Sequence, residues 1–364
     1  MDDPLPASDG TRSHRRLTVP GSSTLIPRRR LALLPRELRL AHEYCYFLHD
    51  QCAHLLVEYE TAEAHVVTVQ FEGRAGAKLR RALKRTNPVH ALRDTGHTDA
   101  ARRVVLNVTT IAMVSDTLHH LFEALHCLEK RKAVVALNLL RKPLMDSLLH
   151  LSWMLGDAEG FYAALSGGDP SALAAKKLGN RRIEIIDAAL AKTGIGHVID
   201  AKFIVATIFD RRYEHGLQKA FQHAVHLVTV DYEELRTDPE NFNFIFKNPF
   251  EDDVYEIIYD NLAPILFYLS HVILELFDRM RPADPGAKTA FHLRAIYGLH
   301  LLEPETACDV CARFHQAFEA TTQCPACALP FRFTEHNVSR ILLTQTVRCH
   351  RCRRVQPFPF AFLF

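Results

Sequence analysis

Several familiar signatures are absent from this sequence. No glycine-rich phosphate loop, Gly-x-Ser-x-Gly elbow or His-Glu-x-x-His pair occurs in its 364 residues. Those absences remove the P-loop, α/β-hydrolase and zincin readings. No segment repeats at a fixed period, which excludes a solenoid. The first residues are acidic and then arginine-rich, without the apolar stretch of a secretory signal; the run at 31–34 is too short. The most apolar long stretch, 262–277, carries His271 and Glu275 and is bounded by Asp260 and Asp278. It predicts a buried helix rather than a membrane span. Net charge is also small, at +2, so the chain as a whole is no polycation. The charge is uneven, however. Residues 1–40 hold eight Lys/Arg against four Asp/Glu, and residues 304–364 hold seven against four, so the middle is net acidic. The two ends are the anion-facing parts.

What the chain does have is clustered cysteine. Three Cys-x-x-Cys pairs, Cys308/Cys311, Cys324/Cys327 and Cys349/Cys352, take six of its nine cysteines. Two such pairs can hold one tetrahedral ion, each closing a tight knuckle. Clustered thiolates suit a reducing compartment, so a cytoplasmic protein is expected, with a secreted disulfide framework as the alternative. One zinc bound by Cys324, Cys327, Cys349 and Cys352 is the favoured arrangement. Another uses Cys308, Cys311, Cys324 and Cys327, with the last pair recruiting from His315, His336 and His350. The favoured arrangement leaves Cys308/Cys311 as a spare redox-capable pair. Iron at four sulfurs is compatible with the ligands.

The knuckles Cys324-Pro325-Ala326-Cys327 and Arg348-Cys349-His350-Arg351-Cys352 resemble those of zinc ribbons. The resemblance covers about 35 residues and implies a small three-stranded sheet, with 331–333 and 341–347 as strands. Ribbon knuckles often place glycine after the second cysteine, where a positive φ is easy. Ala328 and Arg353 stand there instead, so less regular knuckles are expected. Four thiolates leave no open coordination position, which makes the site structural rather than catalytic. Arg348, Arg351, Arg353 and Arg354 surround the last knuckle, with Arg332 and Arg340 nearby. Guanidinium groups at that density suit phosphate. The apolar residues 358–364 are expected to insert into a groove of the same chain or of a partner.

The rest reads as mainly α, a multi-helix bundle followed by the small zinc-ribbon module. The divisions are a disordered basic tail at 1–32, a helical domain at 33–303, the ribbon at 304–357 and the apolar tail at 358–364. Leu38, Cys45, Leu48, Cys52 and Leu55 set the stripe of a first helix from Pro35 to Glu60. Residues 65–71 alternate weakly, as a strand or helix end. Residues 78–85 form a short basic helix. Helices are expected over 99–132, 133–155 with Pro143 starting or kinking it, 183–193, 199–209, 213–230, 251–280 and 288–302. Residues 237–252 read as a loop packed by its own phenylalanines.

Chemistry in the helical part has three candidates. Asp116, His119, His120, Glu123 and His126 share adjoining helical faces, and Glu123-x-x-His126 has the spacing of di-iron bundles. Asp146/His150 and His42/His49/Asp50 are the candidate facing partners. Arg294-x5-His300 and Arg85-x4-His90 resemble the Arg–His pairs of an all-helical ribonuclease superfamily of toxins and abortive-infection systems. That resemblance implies a histidine moving the 2′-hydroxyl proton and an arginine stabilising the phosphate. Residues 139–157 resemble uncharacterised bacterial helical proteins, some linked to phage defence. The sequence therefore favours a zinc-stabilised binding or regulatory protein contacting nucleic acid. Its rivals are a metal-independent ribonuclease and a structural subunit, joined to a protein partner or a second copy through its tail.

Overall fold

The stripe Leu38, Cys45, Leu48, Cys52 and Leu55 folds as expected: its first residue closes a 3-10 turn, and the others lie on helix α1 (Arg39–Thr61). This is seen in a computed structural model describing residues 25–70, 72–230, 233–244 and 247–364. After α1 come α2 (Gly73–Leu83), α3 (Pro88–Asp94), α4 (Thr98–Glu129), α5 (Ala133–Lys142) and α6 (Leu148–Gly156). Then follow α7 (Ala158–Ser166), α8 (Arg182–Thr193), α9 (Ala201–Phe209) and α10 (Leu217–Val225). The chain continues with α11 (Asp253–Met280), α12 (Pro285–His300), α13 (Pro304–Phe318) and α14 (Glu335–Thr344). Strands β1 (Thr346–Arg348) and β2 (Val355–Pro357) form one antiparallel pair near the C-terminus.

Helix α11 is the centre of the bundle. It is long and apolar enough to cross a membrane by length and composition, and 83% of its most apolar window is buried in the protein. A helix apolar all round needs neighbours all round, and α1, α4, α6, α8, α10 and α12 provide them. Pro143 has no N–H to give α5, and the chain answers with a π-helical turn over Pro143–Ser147 before α6 begins. Gly156 lets the end of α6 meet α8: a Cβ there would lie 2.9 Å from that of Ala188.

Buried polar groups tie the N-terminal segment down. The expected basic tail at 1–32 falls outside the described residues as far as residue 24, Arg15 and Arg16 included. From Leu25 onward it is docked. Glu43 Oε1 accepts the N–H groups of Leu25 and Ile26 at 2.9 and 3.0 Å. Arg30 forks onto Glu129 at 2.8 and 2.6 Å and donates to Tyr46 Oη. Leu31 and Leu34 are buried beside them. Two carboxylates inside an apolar bundle require donors, and this segment brings them.

His42 completes the network. A carboxylate only accepts, so His42 Nε2 donates to Glu129 (3.3 Å) and Nδ1 accepts from Tyr259 Oη (2.5 Å). Burial raises the Glu129 carboxyl, but the hydrogen bonds and charges of His42 and Arg30 outweigh it and hold the group at about 2. Burial in turn pushes the His42 imidazole down.

Other expectations change. Residues 66–70 are irregular rather than strand or helix, and residues 213–230 are helical only over α10. Gly216, in extended backbone, precedes that helix, and His226 ends it in the same conformation. In the loop before α11, Phe242 and Phe250 are exposed and Phe244 meets His223, while residues 245 and 246 lie outside the described residues.

Candidate metal centre

Each knuckle is built by the same backbone bonds. Ala328 N donates to Cys324 O at 2.7 Å, and Arg353 N to Cys349 O at 3.1 Å. Cys324 N donates to Leu329 O and Cys349 N to Arg354 O, at 2.8 and 3.0 Å. This turn requires a left-handed residue after the second cysteine. Ala328 adopts φ 55° and Arg353 φ 62°. The irregularity expected from the missing glycines is therefore not found: both knuckles keep the turn and carry its strain.

The two turns place four sulfurs together. The Sγ atoms of Cys324, Cys327, Cys349 and Cys352 all lie within 4.8 Å of one another. Cys324 and Cys352 stand 3.6 Å apart, as do Cys327 and Cys349. A tetrahedral ion bonded to thiolates at about 2.3 Å sets sulfur edges of about 3.8 Å. The cysteines are free and too far apart for disulfides, so the donor set fits a four-thiolate metal ion. The Cys352 backbone N–H pulls the Cys349 thiol down against burial, and with help from Arg351 N–H it reaches about 6. Cys327 moves the opposite way, to about 11: the Leu329 N–H lowers it, but burial and the Cys349, Cys324 and Cys352 thiols outweigh that, so the pair shares one proton and Cys349 is the thiolate at neutral pH.

The frame around the tetrad differs from the three-stranded sheet that the ribbon resemblance implies. Residues 331–333 are irregular, and most of 341–347 belongs to α14. The first knuckle has only the bridge Gln323↔Pro330; the second sits at the tip of the β1–β2 hairpin. Val338, Ile341 and Leu342 alternate poorly for a strand but share one helical face, and all are fully buried. Asn337 is the positioning residue that sequence reading missed. Its Nδ2 donates to Arg332 O and Arg348 O at 2.8 and 3.0 Å, and its Oδ1 accepts from Arg348 N at 3.0 Å. One buried amide thus joins the arms of both knuckles. Its signal was a polar residue within an apolar helical face.

Cys308 and Cys311 lie elsewhere, on α13, and neither belongs to the tetrad. Cys308 is exposed; burial, Glu335 and Cys308 push the Cys311 thiol up to about 12. Among the described residues, His315, His336 and His350 also remain outside it. His315 pairs with Glu319 at 2.7 Å. The apolar tail docks on its own chain. Phe358, Phe360 and Phe364 pack on Phe314, Phe318 and Phe333, with Phe314 and Phe364 stacked at 5.3 Å. Gln345 holds both ends of the tail: its carbonyl accepts from Phe358 N, and its Nε2 donates to Phe364 O.

The arginines of the second knuckle face outward. Arg351, Arg353 and Arg354 are exposed and Arg348 is half-buried. Beside them, burial and then the charges of Arg340, Arg348 and Arg28 push the His336 imidazole down. The N-terminal segment therefore adds Arg28 to the C-terminal cluster.

The catalytic candidates are differently occupied. Arg294 is buried, and its guanidinium donates to Leu342 O and Leu343 O at 2.6 and 3.2 Å while lying over the Phe47 ring. Burial lowers it to about 10. Those bonds cap α14 and bolt it to α1 and α12. His300, six residues along α12, is half-buried and its backbone oxygen accepts from Thr306. Arg85 and His90 are both exposed on either side of the Asn87 cap of α3. Asp116 pairs with Lys142 at 2.8 Å and with His120 at 3.7 Å, while His119, Glu123 and His126 are exposed. His150 turns its ring to the backbone oxygens of Asp146 and Leu173, and His49 turns to Asp50 and Leu118 O. Among the described residues only the cysteine tetrad gathers three or more metal-ligating side chains. Comparison with protein-family models, characterised proteins and solved structures finds no match to this chain.

Proposed function

We propose that the tetrad holds zinc and that the protein binds nucleic acid through the arginines of the second knuckle. Zinc is favoured because four thiolates at tetrahedral spacing form a closed structural site, without an open position for substrate. The observation that carries the binding role is the exposure of Arg351, Arg353 and Arg354 at the tip of that knuckle. Among the described residues none of the three side chains has a hydrogen-bond or ion-pair partner. The turn fixes their backbone, so less freedom is lost when phosphates are gripped. Arg28, Arg340 and Arg348 extend the same positive surface. The metal's role is then to hold the arginines in place, and the helical bundle is the scaffold.

The test is anisotropy titration of labelled RNA and DNA against full-length protein at several salt concentrations. Arg351→Ala with Arg354→Ala is expected to weaken binding and to reduce the salt slope by about two units. Unchanged affinity and slope would remove the knuckle from the binding surface. RNA cleaved by the wild type and left intact by a folded His300→Ala variant would instead favour the ribonuclease reading.

A further inference from the structure

Helix α2 carries a second basic surface, remote in sequence from the metal module. Arg74, Lys78, Arg81 and, just past its end, Arg85 follow at steps of four, three and four residues, which aligns them on one stripe. Arg80 and Lys84 flank it. All six are exposed, and residues 73–85 contain no Asp or Glu. Among the described residues, none of the six side chains makes an ion pair or a hydrogen bond. The opposite face is already used: Leu79 and Gly76 are buried, Leu79 in a small separate core with Ala91, Leu92 and Ala101.

The stripe has a cost. Like charges three and four residues apart on a helix repel one another, and only Asp94 and the C-terminal end of the helix offset them. It also borders a concavity of about 570 Å³, walled by Arg74, Lys78, Arg81, Arg85, Thr86 and Thr95, with Asp94 as its one carboxylate. A polyanion supplies the missing counter-charge.

We infer that α2 and its cleft bind the phosphate backbone of duplex nucleic acid, independently of the knuckle arginines. Two features select duplex nucleic acid among polyanions. A helix that inserts into a membrane surface needs large apolar residues on its outer face; here Leu83 is the one large apolar side chain exposed on α2. Binding of unpaired bases relies on aromatic stacking, and residues 72–95 contain no Phe, Tyr or Trp. What remains is a line of cations spanning about 16 Å, matched to a dense line of phosphates.

The experiment titrates a labelled 20-base-pair duplex with full-length protein between about 50 and 200 mM salt. The variant Arg74→Gln, Lys78→Gln, Arg81→Gln, Arg85→Gln is compared with one in which Arg74, Arg81 and Arg85 become Lys. The Gln variant is expected to bind at least tenfold more weakly at about 100 mM salt, with a slope shallower by about three to four units. The Lys variant is expected to stay near wild type. Equal melting temperatures show that Leu79 and its core still hold the helix. Arg351→Ala with Arg354→Ala, run in parallel, separates the two surfaces. If the knuckle reading fails, that variant binds normally and the Gln variant still loses affinity. A Gln variant with unchanged duplex affinity and slope overturns the α2 site. So does one that loses only binding to phosphatidylserine vesicles, or only binding to an acidic peptide.

Discussion

The bundle around α11 takes charge inside, whereas the module from α13 onward gathers it at its surface. In the bundle, Glu43 and Glu129 are buried and each is met by donors from the segment before α1. It can hold them because three long helices surround them with apolar side chains. The module has far less to bury. Its Phe314, Phe331, Phe333, Phe358 and one face of α14 form the edge of the same continuous core, and a segment that buries so little of its own needs a staple. The tetrad provides one, the phenylalanine tail a second, and Arg294 a third from the bundle side. Where a core is large, buried ionised groups are fixed by their partners. Where it is small, four cysteines are gathered at the spacing of a metal site.

Removing the tetrad's capacity to hold a metal is the strongest way to divide the two regions. Metal binding supplies on the order of 10 kcal/mol to small tetrathiolate modules. Cys324→Ser with Cys349→Ser is therefore expected to abolish stoichiometric metal and to open residues 322–358 to hydrogen exchange. The amides of α1 and α11 should stay protected. Elemental analysis and exchange mass spectrometry read the two halves separately. Protection lost equally in both would mean that module and bundle fold as one cooperative unit.

Acid sharpens the contrast from the other side. Burial lowers His271 from 6.5 to about 3; its Nδ1 donates to Phe267 O, and among the described residues its Nε2 has no hydrogen-bond partner. Glu129 is lowered from 4.5 to about 2. Both folded values lie below the unfolded ones. Each group therefore contributes stability that is complete above its unfolded value and is lost as pH falls toward the folded one. Bundle stability should decline from pH 6.5 downward for His271, and further from 4.5 toward 2 for Glu129. At about 1.4 kcal/mol per unit, the His271 share is on the order of 5 kcal/mol. His271→Leu should flatten denaturant-measured stability between pH 6.5 and 3, with little change at pH 7. A slope equal to wild type would mean that His271 is not held below its unfolded pKa and that other groups carry the acid dependence.

Legibility also divided along this line. The long helices were readable because Leu38, Cys45, Leu48 and Cys52 keep helical period, and α11 could be placed inside from His271 and Glu275 in an apolar run. The tetrad was readable because cysteine pairs at knuckle spacing have few other uses. Two things were not. Residues 341–347 looked strand-like because Ile341, Thr344, Thr346 and Val347 are β-branched; the helix goes with the buried face of Val338, Ile341 and Leu342 and with the Arg294 bonds to the Leu342 and Leu343 carbonyls. The docking of residues 25–34 was hidden because Arg30 is indistinguishable from its neighbours Arg28 and Arg29. Its partner Glu129 lies 99 residues away, a separation no local pattern spans.

The smallest test concerns the strain inside each knuckle. Ala328 and Arg353 hold left-handed backbone at about 1–2 kcal/mol each relative to their preferred conformations. Glycine removes that strain but loses more freedom on folding, by about 0.5–1 kcal/mol. Ala328→Gly should therefore stabilise the module by about 0.5 kcal/mol, seen as slower metal release to a chelator, with nucleic-acid affinity unchanged. Arg353→Gly gains the same backbone relief and loses one of the outward cations. It should release metal more slowly yet bind nucleic acid more weakly. That opposite movement of two readouts in one variant is what a knuckle that both holds metal and grips phosphate must show. If both knuckle variants release metal more slowly and bind equally well, the Arg353 side chain takes no part in binding.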